Sequence, residues 1–139
     1  MKVRSLTGEI TSWKLLGNTV CINDARKRSK LHLTARGIVH EIFTSAPILE
    51  EVPIHPRPFK TQYFDFYLPN IKLAIEVNGE QHYKFNTFFH ASAQDFLNQK
   101  KNDADKREWC EINGISLIEL PYNEKEDEWR QRIIQRNQE

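Results

Sequence analysis

From residue 48 onward short apolar runs alternate with longer polar stretches, and the period of the apolar positions changes from one element to the next. Tyr63 to Leu68 and Leu73 to Asn78 are dense in aromatic and β-branched residues and flank Pro69-Asn70, which marks two strands around a turn. Ile115 to Leu120, ISLIEL, is another strand of this kind. Ile48 to His55, ILEEVPIH, also reads as a strand, with Pro53 predicting an edge position or an irregularity. Helical spacing governs the rest. Thr34 is the expected N-cap of a helix reaching about Ser45, with Ile38 and Ile42 one turn apart beside Val39 and Phe43. Pro47 ends it, and Pro56 and Pro58 mark a loop. Phe85 to Ala93 is an aromatic-rich loop or short helix. Ala93 to Asn113 is helical in composition, with an interruption expected near Asn102-Asp103 and a stop at Asn113-Gly114. Lys125 to Arg136 closes the chain as a helix with Trp129 and Ile133 one turn apart. The order helix, three strands, helix, strand, helix predicts a mixed α/β domain.

Residues 1–30 are less regular. Glu9 to Ile22 predicts a small hairpin turning at Gly17-Asn18, and Asn23 to Lys30 a charged connector. We therefore expect an N-terminal extension over 1–30 ahead of a domain over 31–139.

A length of 139 residues suits one domain, and 39% hydrophobic residues suffice for a core. The formal net charge of +1 announces no nucleic-acid partner, but its distribution keeps a basic patch open: ARKRSK at 25–30 and Arg130, Arg132 and Arg136 against the acidic NEKEDE at 123–128. Cys21 and Cys110 lack metal-ligand spacing and suit a reducing compartment. No apolar run reaches membrane-spanning length, and the N-terminus carries no signal-peptide core, so the expectation is a soluble, intracellular protein with no membrane partner.

Two acids stand out in the central pair of strands. With Pro69 to Lys72 as the loop, Leu68 faces Leu73, Phe66 faces Ile75, Asp65 faces Glu76 and Tyr63 faces Asn78. Phe64, Phe66 and Leu68 then share one face, with Asp65 on the other. Cβ atoms so opposed lie roughly 5 Å apart, where like charges repel. Two close carboxylates share either a proton or a cation. Mg²⁺, held by one or two carboxylates plus waters and phosphate oxygens, is the productive resolution. The bland alternative is a solvated sheet face, but Asn78, Gln81 and His82 crowd the same end.

The stretch AIEVNGEQH, after the Asp of the preceding strand and before DADKREWCEINGISLIEL, resembles the PD-(D/E)XK nuclease superfamily, in particular its Vsr-like branch with the EDxHD phage homing endonucleases. The resemblance spans about residues 34–122. It implies a restriction-endonuclease-like core, a mixed central sheet flanked by helices, and Mg²⁺-dependent cleavage of DNA, with Mn²⁺ able to substitute. It assigns Asp65 and Glu76 as metal ligands and matches Glu41 to a helical acid and Asp103 to an acid of this branch. A bacterial or phage-infected host cytoplasm is the implied setting. The sequence departs from the pattern at Asn78, where the superfamily usually has Lys. His82 is then the candidate base for the attacking water, Gln81 a candidate to orient water or phosphate, and Lys106 or Lys101 a candidate for the missing positive charge.

Candidate phosphate contacts are Arg26, Lys27, Arg28, Lys30, Arg36 and Lys60. Phe85, Phe88, Phe89 and His90 either stack on bases or complete the core. The leading expectation is a metal-dependent DNA endonuclease, of homing type or directed at junctions or mismatches. The alternatives are a nuclease fold that only binds DNA or a protein, and a plain α/β domain with exposed acids. Homodimers and larger assemblies stay open.

Overall fold

A computed structural model describes residues 1–19, 28–87 and 90–137. The order is β1 (Lys2–Arg4), β2 (Ile10–Ser12), β3 (Asn18–Thr19), α1 (Lys30–Ile42), β4 (Leu49–Arg57), β5 (Lys60–Leu68), β6 (Leu73–Asn78), α2 (Ala93–Ile112), β7 (Ser116–Pro121) and α3 (Glu126–Asn137), with a single 3₁₀ turn at Glu80–His82. The main sheet runs β3-β4-β5-β6-β7, antiparallel except for the parallel β6–β7 pair that α2 connects. The mixed α/β architecture and the element order from α1 to α3 are as the apolar pattern predicts.

Each face of the sheet carries its own core. On one, Ala35, Ile38 and Val39 of α1 and Trp129 and Ile133 of α3 cover Phe66, Leu68, Leu73 and Ile75. On the other, Trp109 and Cys110 of α2 cover Val52, Ile54, Phe64, Tyr67 and Ala74. Phe64 therefore does not share a face with Phe66, contrary to simple alternation. The reason lies at Glu51, which adopts φ 56°, a left-handed conformation inside a strand. Pairing with β5 holds at Glu50↔Phe66 and at Val52↔Phe64 but skips the step between, and the side chains exchange faces across it.

Several boundaries differ from expectation. Helix α1 starts before Thr34, because Ser29 caps it by accepting from the His32 N–H at 3.1 Å. Pro56 lies within β4 rather than in a loop, and the turn is confined to Pro58-Phe59. Helix α2 passes Asn102-Asp103 without a break. The N-terminal hairpin joins β1 to β2, with Gly8 at φ 97° in its turn, while Asn18 pairs with Glu50 of β4 instead of turning. The first strands pack onto the sheet. Trp13 packs edge-on against Trp109 and its indole N–H donates to the Pro53 carbonyl at 3.0 Å, so residues 1–13 seal the second core.

Under α1, Glu50 is fully buried and accepts from Arg36 Nε through Oε2 at 2.9 Å and from Nη2 through Oε1 at 3.1 Å, with His32 Nε2 2.6 Å from that same Oε1. This corrects the assignment of Arg36 to phosphate: at 1% exposure it is committed to Glu50. Removing one partner of a buried pair strands the other charge at a cost of about 3–5 kcal/mol. Glu50→Ala should therefore lower unfolding stability in urea by about 3 kcal/mol or more; a change below about 1 kcal/mol would refute the role given to this pair.

Candidate active site

The site opens where β5 and β6 part. Their ladder runs Leu68↔Leu73, Tyr67↔Ala74, Phe66↔Ile75, the register predicted from the apolar pattern, and then stops. Asp65 and Glu76 would be the next pair. Asp65 lies at the step that the β4 ladder also skips. Its carboxylate Oδ2 accepts the Val77 N–H at 2.8 Å, replacing a backbone carbonyl in that ladder. Beyond it β5 continues with β4 while β6 continues with β7, and the gap between them is a cleft of about 610 Å³. Asp65, Glu76, Gln81, His82, Asp103 and Lys106 all line it.

Glu76 sits on the α2 side of β6, beneath that helix, with its side chain only 8% exposed. Burial pushes its pKa well above the ordinary carboxylate value, the Asp65 charge pushes it further, and the Lys106 ammonium only partly offsets both. Lys106 Nζ donates to Glu76 Oε1 at 2.9 Å and to the Tyr63 carbonyl at 2.7 Å, so one ammonium bridges the two strands where their ladder has ended. A positive charge thus reaches Glu76 from α2. Lys101, the other candidate for that charge, is exposed and does not line the cleft.

His82 follows β6 in the 3₁₀ turn, and its Nδ1 lies 2.9 Å from Asp103 Oδ2. Gln99 places its amide nitrogen 3.3 Å from His82 Nε2. The buried His90 in turn holds the Gln99 Oε1 at 3.0 Å through Nε2, while its Nδ1 accepts the Asn86 N–H. His90 is thus neither a base-stacking side chain nor a mere core filler. Phe85 stacks on it and stays half-exposed; Phe88 and Phe89 lie outside the described residues.

Two site assignments are corrected. Asn78 is buried, hydrogen-bonded to the Tyr83 hydroxyl, and absent from the cleft wall. Glu41 projects from α1 on the opposite side of the sheet, where it accepts from Arg130 Nε of α3 at 2.7 Å. Of the basic residues, Arg28 pairs with Glu51 at 3.2 Å, Lys30 is exposed at the start of α1, and Lys60 begins β5; none lines the cleft. Arg26 and Lys27 lie outside the described residues.

Gln62, Asn98, Gln99 and Asn102 were missed by sequence reasoning yet form much of the cleft wall. The signal was present in α2. Gln99, Asn102, Asp103 and Lys106 recur at helical spacing, a polar stripe on the face that an amphipathic helix would make apolar. Cys110 lies beneath the site, its thiol pushed up to about 12 chiefly by burial, which removes it as a nucleophile.

The donors fit a hard divalent cation. Asp65 and Glu76 present carboxylate oxygens to one open, polar cleft, and a cation between them would offset both the burial that chiefly raises Glu76 and the Asp65 charge that adds to it. Among the described residues no three His, Cys, Asp or Glu side chains gather at metal-binding distance, so His82–Asp103 stands apart from Asp65–Glu76. Two carboxylates completed by waters and phosphate oxygens match the habit of Mg²⁺.

Comparison with known proteins finds similar stretches in three viral proteins. The chain is 47% identical over 62 residues to the uncharacterized protein 307L of Invertebrate iridescent virus 6, covering 45% of this chain and 32% of that protein. It is 48% identical over 61 residues to the uncharacterized protein 033L of Invertebrate iridescent virus 3, covering 44% and 31%. It is 38% identical over 76 residues to the uncharacterized protein 094L of Frog virus 3 (isolate Goorha), covering 54% and 49%. The matched region thus spans about a third to a half of these relatives. No family model and no solved structure matches. No helix among the described residues is long and apolar enough to cross a membrane.

The raised pKa of Glu76 has a definite sign in stability. In the folded state Glu76 keeps its proton to higher pH than the 4.5 ordinary for an unfolded glutamate, so wild-type stability from this group is lost as pH rises from about that value through the folded pKa. Glu76→Gln cannot lose that proton. In paired urea titrations without divalent metal, the variant should gain on wild type between acidic and mildly alkaline pH. Parallel curves, or a gain by wild type, would show that Glu76 ionises freely in the fold.

Proposed function

We propose that this chain is a metal-dependent DNA endonuclease of the PD-(D/E)XK type, with a restriction-endonuclease-like core. The observation that carries the reading is the convergence of Asp65, Glu76 and Lys106 with the His82–Asp103 pair on one cleft. In this reading Asp65 and Glu76 would hold Mg²⁺, which would supply positive charge beside the phosphate and the attacking water. Lys106 takes the part of the motif lysine from a different element and offsets negative charge that grows on the scissile phosphate. His82 accepts the proton of the attacking water. Asp103 orients the ring by accepting from its Nδ1, leaving Nε2 for the base role once Gln99 gives way to water. Gln81 and Asn102 offer amide contacts to phosphate or water from the cleft wall.

The competing reading is a nuclease fold that binds without cutting, favoured by Asn78 being engaged with Tyr83 where a catalytic lysine is usual. Lys106 on Glu76 weighs against it. The decisive experiment incubates wild type, Asp65→Asn, Glu76→Ala and His82→Ala with supercoiled plasmid, linear duplex, junctions and mismatches in Mg²⁺, Mn²⁺ or EDTA. Nicking should require metal, disappear in both acid variants, and fall by about 10²–10⁴-fold in His82→Ala, the usual worth of a general base. Metal-independent cutting, or cutting that survives loss of either acid, would refute the assignment. Binding without cleavage across the whole panel would favour the non-catalytic module.

A further inference from the structure

The tip of the β4–β5 hairpin carries two costs at one residue. Phe59 stands fully exposed, and its φ of 61° places it in the left-handed region, where a glycine or asparagine is ordinarily found. A bulky side chain in that conformation is strained, and here no packing in the fold compensates. The surroundings give the exposure a direction. Arg57 donates from Nε and Nη2 to Asp105 at 2.8 and 3.1 Å, which clamps the base of the hairpin to α2. The Asp105 carboxyl is held low by that Arg57 hydrogen bond first, with Lys101 and Lys60 close enough to add to the effect. Arg57, Lys60 and Lys101 gather about Asp105, and Glu108 is near enough to act on Arg57, so three cations meet two acids and the corner stays net positive.

The same strand leads into the cleft. Asp65 and Tyr63 line the cleft, and Lys60 and Phe59 lie further out along β5 and its turn. Asp65 and Phe59 are separated by roughly 20 Å of extended chain, a distance of about six steps along a duplex strand. A bound duplex that presents a phosphate to Glu76 and Asp65 would thus meet Phe59 about half a helical turn away.

We infer that Phe59 is a base-stacking wedge, inserted at a duplex base step while Lys60 and Lys101 hold the adjacent phosphates. This rests on the endonuclease reading for the position of the DNA and adds a contact that the reading does not need. The chemistry is that of an exposed aromatic ring flanked by cations, which stacks on any base and carries little sequence preference. A strained, exposed phenyl is what such a wedge requires, because a ring packed into the fold could not enter the stack.

The test uses the full chain in EDTA, so that binding is read without cleavage, and a labelled duplex with 2-aminopurine at successive positions. Phe59→Gly suits the left-handed backbone and should fold with little change in melting temperature. Wild type should brighten 2-aminopurine at one step. Phe59→Gly should abolish that signal and weaken binding by about 5- to 100-fold, the worth of one stacked base. It should leave the dependence of affinity on salt unchanged, whereas Lys60→Ala should lower that slope by about one. Equal affinity and equal brightening in Phe59→Gly would overturn the wedge; metal-dependent nicking lost in Glu76→Ala would then still uphold the nuclease. If Phe59→Gly leaves DNA binding intact but abolishes self-association in sedimentation, the tip is a protein contact and the wedge is overturned. A wild type that neither binds nor cuts any duplex would remove both.

Discussion

The Asp65 carboxylate occupies the place of a backbone carbonyl in a β-ladder, and the rest of the site depends on that substitution. By accepting the Val77 N–H it satisfies a half-buried donor that the β5–β6 ladder no longer reaches, which allows the two strands to diverge without an orphaned amide between them. Divergence creates the cleft. It also leaves the Tyr63 carbonyl open, and Lys106 of α2 takes it together with Glu76. One side chain thus ends a ladder, opens a cavity and aligns a second acid with a cation.

The two faces of the sheet divide the labour. Helices α1 and α3 cover an apolar face whose buried polar groups, Arg36, Glu50 and His32, satisfy one another. Helix α2 covers the other face only with its C-terminal turns, through Trp109 and Cys110. Its earlier turns carry amides, acids and a lysine over the cleft instead of packing on the sheet. Burial and the Asp65 charge both oppose ionisation of Glu76, and Lys106 offsets part of that cost, the arrangement in which a perturbed carboxylate marks a functional site.

What the sequence made legible follows from how each element is specified. The β5–β6 register could be read because apolar residues on both strands must meet face to face, and a slip would expose them. The span of β6 was read correctly for the same reason. The exchange of faces at Glu51 could not be read, since a glutamate gives no sign of left-handed backbone. Ser29 was hidden as a cap within a basic run, so α1 was expected to begin late. Arg36 looked like a surface cation because its partner, Glu50, is distant in sequence and on a strand. Lys106 was legible only as one of two helical lysines; its bond to Glu76 depends on the tertiary position of α2.

The central claim is that Asp65 and Glu76 form a single divalent-cation site, and calorimetric titration of the metal-free protein with Mn²⁺ and Mg²⁺ in buffers of different ionisation enthalpy tests it most directly. The account predicts one saturable site per chain, binding that releases protons at pH values where Glu76 is still protonated, and loss of the site in both Asp65→Asn and Glu76→Gln. Binding that survives either substitution, or no saturable binding by the wild type, would contradict it.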